Sequence, residues 1–237
     1  MQVTKLWRYP VKSLGGQEVA TAKVGPNGIA GDRHWGVVDS ATGKVLTARR
    51  APKLLFARAH IDEAGELAIT LPDGASGRDD GALSAWLGSE VRLEESADDR
   101  RGTFETVFDF EHEDGAEWFA WDGPTGSFHD SAKAQVSIVS EATMGDWDPR
   151  RFRANVIVDG EREDDLVGHE IEIGGVRFEV VKPIDRCVMV TRPQPGIDRD
   201  LDVLRTISRE RAGNLSVGAR VVGGDSISVG DEVRVLT

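Results

Sequence analysis

One cysteine occurs in the chain, Cys187, in the phrase Pro183-Ile184-Asp185-Arg186-Cys187-Val188-Met189-Val190-Thr191. An adjacent arginine favours the thiolate, which is the form that ligates a soft or high-valent metal or attacks an electrophile. The plain alternative is that a lone cysteine is a small buried hydrophobe. Basic residues recur beside expected strands: Lys12-Ser13, Arg33 and Arg49-Arg50 each fall in a turn bearing Gly, Pro or Ser. Such turns are where binding rims are built. Further on stands Arg150-Arg151-Phe152-Arg153-Ala154-Asn155. Guanidinium forks with a nearby hydroxyl or amide suit phosphate and heterocycle recognition. The bland counterpart is a scatter of surface cations.

The other chemistry that the composition permits is narrow. With net charge −12 over 237 residues, a nucleic-acid surface is not expected, because phosphate backbones are gripped by Lys and Arg. An anionic membrane would repel such a chain for the same reason. A single cysteine excludes an internal disulfide, a CxxC redox pair and an iron–sulfur cluster held by the chain alone. GxGxxG after a strand, the P-loop, HExxH and GxSxG are all absent. The five histidines (His34, His60, His112, His129 and His169) have no metal-ligand spacing and read as surface or satisfied core residues. No apolar run approaches the ~20 residues of a membrane span, and no signal-peptide core follows Lys5. A cytoplasmic location is expected.

The elements that must position these residues are mostly strands. Val3 to Tyr9 alternates as a half-buried strand, broken at Gly15-Gly16. Val19–Val24, Trp35–Asp39 and a hairpin of Leu54–Ile61 with Leu67–Leu71 follow. Asp80–Leu87 reads as a short helix capped by Asp80 and ended by Gly88. Residues 94–117 hold ten acidic side chains against Arg100 and Arg101. They read as a solvated connector, with a negative docking face for a basic partner as the sharper reading. Beyond them Ser140 is a plausible N-cap, Arg153–Asp159 a strand, and Asp200–Arg211 a helix stopped at Gly213-Asn214. Leu166 to Val180 and Ile227 to Leu236 repeat a glycine turn followed by alternating β-branched residues. The expected fold is mainly β and barrel-like, with a few short helices. Two closely packed β-rich domains are expected, residues 1–93 and 126–237, joined by an acidic segment, 94–125.

Five phrases in order then carry a resemblance: Tyr9-Pro10-Val11-Lys12-Ser13, Gly31-Asp32-Arg33-His34-Trp35, Thr47-Ala48-Arg49-Arg50-Ala51-Pro52, Arg151-Phe152-Arg153-Ala154-Asn155 and Arg186-Cys187. The pattern resembles the MOSC family, named for the C-terminal domain of molybdenum-cofactor sulfurase. The first half looks like its N-terminal β-barrel domain, and the nearest functional group is the amidoxime-reducing component. The resemblance implies a molybdenum cofactor (Mo-molybdopterin), with Cys187 as metal ligand. Lys12, Ser13 and Arg33 would hold the phosphate. Thr47, Arg49, Arg153, Asn155 and Arg186 would complete the cofactor site, and Asp185 would act as a proton donor. Pyridoxal phosphate binding is a further attribute of the family.

The implied activity is reduction of small N-hydroxylated or N-oxide substrates, with electrons from a separate flavin or iron–sulfur reductase. The alternative is a carrier of the cofactor, or of sulfur as a persulfide on Cys187. A third reading is a β-barrel interaction module that binds no cofactor. The sequence departs from the family pattern at Ala154, at Asp185 and at Arg192-Pro193-Gln194-Pro195-Gly196, so the substrate is less defined than the cofactor.

Overall fold

The structure is a computed structural model that describes residues 1–109 and 111–236. Phe110 and Thr237, inside the expected 94–117 stretch and 126–237 half, lie outside the described residues, as does the side chain of Asp114. The chain is mainly β. Eight strands form the largest sheet, in the order Val233–Val235, Glu170–Ile173, Val176–Asp185, Asn214–Gly223, Val136–Ser140, Val156–Val158, Val3–Arg8 and Gln17–Val19. All neighbours are antiparallel except Val136–Ser140 beside Val156–Val158. The ladder is open rather than a closed barrel, although an isolated bridge joins Gln2 to Glu232.

The two expected halves interlock. Val3–Arg8 completes the sheet of the second half, and Ser226–Ser228 from near the C-terminus pairs with Thr21–Gly25. Their apolar faces share one core, in which Leu6, Ile138, Ile171 and Phe178 are fully buried. A second core gathers Val11, Leu14, Leu54 and Leu83 around the hairpin Arg58–Ile61 with Leu67–Thr70.

The acidic stretch is not a plain connector. Arg101–Val107 pairs with Trp118–Thr125 in an antiparallel hairpin, and alternation along it buries Phe104 while Glu105 stays wetter. Several of its acids are also paired: Glu111 with Arg205, and Glu113 with Arg192.

Local signals work as capping chemistry requires, with small shifts. Asp79, not Asp80, caps the helix Asp80–Leu87 by accepting from Ala82 N, and Gly88 ends it in the left-handed region. Ser140 caps the turn Glu141–Met144. Asp200 caps Leu201–Arg211, whose Val203, Leu204 and Ile207 bury against Phe152 and Leu215. The strand expected at Arg153–Asp159 is shorter, Val156–Val158, because Arg153 has a positive φ of 52° that no strand accommodates. Among the described residues no helix is long and apolar enough to cross a membrane.

Candidate functional site

All ten residues singled out from the sequence (Lys12, Ser13, Arg33, Thr47, Arg49, Arg153, Asn155, Asp185, Arg186 and Cys187) line one cavity of about 370 Å³. The first five come from the N-terminal half, the others from the second. Six cationic side chains line the cavity, Lys182 being the sixth, against the carboxylates of Asp130 and Asp185. A protein of net charge −12 thus turns its positive charge inward at one place.

The cationic wall rests on strained backbone. Ser13, Arg33 and Arg153 all have positive φ, at 68°, 47° and 52°. Non-glycine residues in that region cost about 1 kcal/mol or more each, and such strain gathers at functional sites. Surrounding bonds hold it in place. Ser13 Oγ accepts from Ala48 N at 2.9 Å. Arg33 Nη2 donates to Arg153 O at 2.9 Å, and Arg153 Nη1 donates to Leu14 O at 2.5 Å. The Tyr9 ring is in contact with both guanidiniums, 4.8 Å from that of Arg33 and 4.2 Å from that of Arg153. Burial pushes the Arg153 guanidinium down to about 10, and the nearby Arg33 adds to the shift.

Beneath this wall sits Asp32, whose side chain is fully buried. It accepts from Tyr9 N at 2.7 Å and from Asn155 Nδ2 at 3.0 Å, and it pairs with Arg33. Asn155 also accepts from Ser137 Oγ at 3.0 Å. The Asn155 amide is therefore taken up by the protein and positions the wall.

Cys187 closes the other side. It does not lie on a strand. It follows the long strand Val176–Asp185, whose pairing shifts register between Val180 and Lys182 and again between Pro183 and Asp185. Bulges of this kind re-aim side chains beside sites. Cys187 itself starts the 3-10 turn Val188–Thr191. The turn is fixed by Arg151, which donates to Val190 O at 3.2 Å and Asp198 O at 2.8 Å.

Arg186 likewise bonds Leu215 O at 2.7 Å, Phe152 O at 3.1 Å and the Ser216 hydroxyl. Its N–H groups are thus bonded elsewhere rather than to the sulfur, although Cys187 remains within electrostatic reach. Arg49 takes that place: its Nε donates to Cys187 Sγ at 3.2 Å. Arg49 also stacks on Trp121 at 5.0 Å, and Arg50 on Trp118 at 4.4 Å, so the acidic hairpin's tryptophans brace this turn. Arg192, in the phrase that departs from the family pattern, donates to Arg49 O at 2.7 Å and pairs with Glu113.

Residues 1–119 match the model of the MOSC N-terminal beta barrel domain, and residues 125–234 match that of the MOSC domain. The chain belongs to the MOSC family. Molybdenum cofactor sulfurase 2 of Aedes aegypti is 26% identical over 245 residues, covering 93% of this chain and 30% of that protein. Molybdenum cofactor sulfurase of Homo sapiens is 24% identical over 265 residues, covering 91% of this chain and 29% of that protein. The chain therefore spans less than a third of the length of these two relatives. The crystal structure of the YUAD protein from Bacillus subtilis shares the fold, with a TM-score of 0.50 at 14% identity, covering 99% of this chain and 94% of that one.

Two residues of this MOSC site were missed by sequence reasoning. Sequence gives His129 no mark beyond that of a surface or satisfied core residue. It is buried in the cavity wall, its Nε2 has no hydrogen-bond partner, and Asp32 Oδ2 lies 3.9 Å away. Burial pushes its pKa down to about 4, against the pull of Asp32, so the imidazole is neutral at pH 7. Asp130 stands in no motif. Its carboxylate lies 2.9 Å from Lys12 Nζ and 3.3 Å from Arg49 Nη2. Enclosure works to raise its pKa, but Lys12 and Arg49 outweigh that and hold it far below the usual carboxylate range. Burial lowers Lys12 to about 8 despite Asp130. Both missed residues fall between Thr125 and Val136, where no strand or helix pattern marks them.

The residues fit a molybdenum cofactor on chemical grounds. Among the described residues, Arg153 Nη2, Thr47 Oγ1, His129 Nε2 and the acceptor Gln135 Oε1 are buried polar atoms without partners, all on residues of the cavity wall. Such atoms are expensive unless something bonds them. Cations and a hydroxyl suit a phosphate, and a thiolate suits the metal. Pyridoxal phosphate fits less well, since an aldimine needs a neutral amine and the buried Lys12 is ion-paired to Asp130.

Proposed function

We propose that the cavity binds a molybdenum cofactor through Cys187, and that the protein reduces N-hydroxylated or N-oxide substrates with electrons from a separate flavin or iron–sulfur reductase. One observation carries the reading. The sole cysteine of an acidic chain opens into a cavity walled by six cations and lined by four residues with an unpartnered buried polar atom among the described residues, Thr47, His129, Gln135 and Arg153. The bound group would supply two-electron reduction with loss of oxygen from the substrate. The chain's own residues do the rest. Lys12, Ser13 and Arg33 hold the phosphate, with Arg153 and Thr47 beside them. Cys187 ligates the metal. Arg49 neutralises the sulfur, and Arg186 and Arg151 fix the turn that presents it. Asp185 is exposed and lines the cavity, where it can exchange a proton with solvent and deliver it to a departing oxygen.

The test is elemental analysis of protein purified from a host that makes the cofactor, followed by turnover of an N-hydroxylated amidine with a reduced viologen as donor. About one molybdenum per chain, lost in Cys187→Ser, and turnover with the dye are expected. Labile sulfane sulfur on Cys187 without molybdenum would replace this reading by that of a sulfur carrier.

A further inference from the structure

Lys12 and Arg49 are held fast by their surroundings. Lys12 is buried, with its ammonium 4.8 Å from the Phe104 ring, and Arg49 is pinned by Trp121 and by Cys187. Their shared partner is not. The Asp130 side chain is 52% exposed, and its hydrogen bonds all go to these two cations. It sits on the stretch between the strands Trp118–Thr125 and Val136–Ser140. The cations are thus a buried cradle, and the carboxylate, though ion-paired to both, is the member with half its side-chain surface open to solvent. Meanwhile Thr47 Oγ1, His129 Nε2 and Arg153 Nη2 in the same wall are left without partners. The carboxylate meets only part of what the cradle offers.

We propose that Asp130 is a resident counter-ion that selects the anion this cavity accepts: a phosphate-ester dianion displaces it, and a monoanion does not. The reasoning is charge exchange. A monoanion replaces one negative charge by another and gains little against Lys12, Arg49 and Arg33. A phosphate dianion brings more charge and three acceptor oxygens, enough to bond the fixed cations and the unpartnered donors of Thr47 and Arg153 together. The inference rests on the cofactor reading for the identity of the ester, but not for its own test.

The experiment uses the full chain purified from a host that lacks the cofactor. It is titrated calorimetrically at pH 7.5, below the Lys12 value of about 8, in a low-salt zwitterionic buffer, with inorganic phosphate, mostly dianionic there, as the dianion and nitrate as the monoanion. Wild type is expected to bind phosphate at least about tenfold more tightly than nitrate, as charge-assisted contacts of this number allow. In Asp130→Asn both anions bind more tightly and nitrate gains most, so the preference falls about fivefold or more. Asp130→Ser, which cannot mimic the carboxylate's bonds, should behave alike.

Weaker phosphate binding in both variants would make Asp130 a scaffold for Lys12 and Arg49 and overturn the proposal. An unchanged preference, or no phosphate binding by wild type, would overturn it whatever the molybdenum content. If the preference falls as expected in a protein that never takes up molybdenum, the selector stands and the cofactor reading falls.

Discussion

Replacing Asp32 by asparagine keeps the shape of the most buried charge in the site and removes its sign. The carboxylate has no exposed surface, accepts from Tyr9 N at 2.7 Å and Asn155 Nδ2 at 3.0 Å, and is the counter-ion of Arg33. In Asp32→Asn one oxygen can still accept from Tyr9 N. The new amide nitrogen then faces two donors, Asn155 Nδ2 and Arg33 Nη1, and Arg33 keeps its charge without a partner. Breaking a buried pair in this way costs about 3–5 kcal/mol. For a chain of this length that corresponds to a fall in Tm of about 6–20 °C. Thermal and urea unfolding of wild type, Asp32→Asn, Arg33→Met and the double variant would measure it. The cost of Asp32→Asn should shrink by about 2 kcal/mol or more in the Arg33→Met background, since the stranded charge is then gone. Additive changes, or a loss below about 1 kcal/mol, would refute the view that Asp32 is the charge on which the cationic wall rests.

Three further outcomes follow from the same network. His129 is depressed to about 4 in the folded protein from an ordinary value near 6.5. The stability that its neutrality contributes is complete above about pH 6.5 and lost as pH falls toward 4, by an upper bound of about 3 kcal/mol. His129→Gln should flatten the urea midpoint between those pH values, and a slope that survives would assign it to other groups. Lys12 is held near 8 by burial, so its charge opposes folding at neutral pH. Lys12→Met should raise the stability of the cofactor-free protein by about 1 kcal/mol while weakening phosphate binding, the trade expected where a site is strained for function; a loss of stability would contradict it. A Cβ on Gly16 would lie 2.5 Å from Arg8 O and from the Tyr9 ring, whereas one on Gly25 meets nothing within 4 Å. Gly16→Ala should cost about 2–3 kcal/mol by displacing the ring that contacts the two guanidiniums, and Gly25→Ala under about 1 kcal/mol; equal costs would sink the argument.

Much of the site is legible because the residues that bind small anions sit in turns with their own sequence marks. Lys12-Ser13 precedes the glycine break, Arg33 follows Gly31, and Arg49 precedes Pro52. What sequence could not supply is pairing across the chain. Cys187 and Arg186 are neighbours, so proximity assigned Arg186 to the sulfur. The bulged strand end instead sends Arg186 to Leu215 O, and Arg49 arrives from 138 positions away. The acidic stretch reads as a solvated connector because Arg192 and Arg205, the partners of Glu113 and Glu111, lie far along the chain. Its tryptophans give no sign in sequence that they brace Arg49 and Arg50. An open ladder in place of a barrel has the same origin: alternation specifies which face of a strand is buried, not which strand closes the sheet.

The interlocking of the two halves has a functional consequence. Val3–Arg8 lies beside Val156–Val158 in one sheet, and the turns that follow the first strand and precede the second carry Lys12, Ser13 and Arg153. Trp7 N donates to Asn155 O at 2.8 Å, and Arg153 reaches back to Leu14 O. The anion cradle is therefore formed by pairing the N-terminal strand into the sheet of the second half. Neither half alone has the whole cationic wall with its cysteine, since Lys12, Arg33 and Arg49 belong to one and Arg153 and Cys187 to the other. Strain at Ser13, Arg33 and Arg153 is tolerable only while that pairing holds. Binding of an anion across the seam would tie the halves further together, so ligand affinity and resistance to unfolding should rise and fall together in variants of the seam.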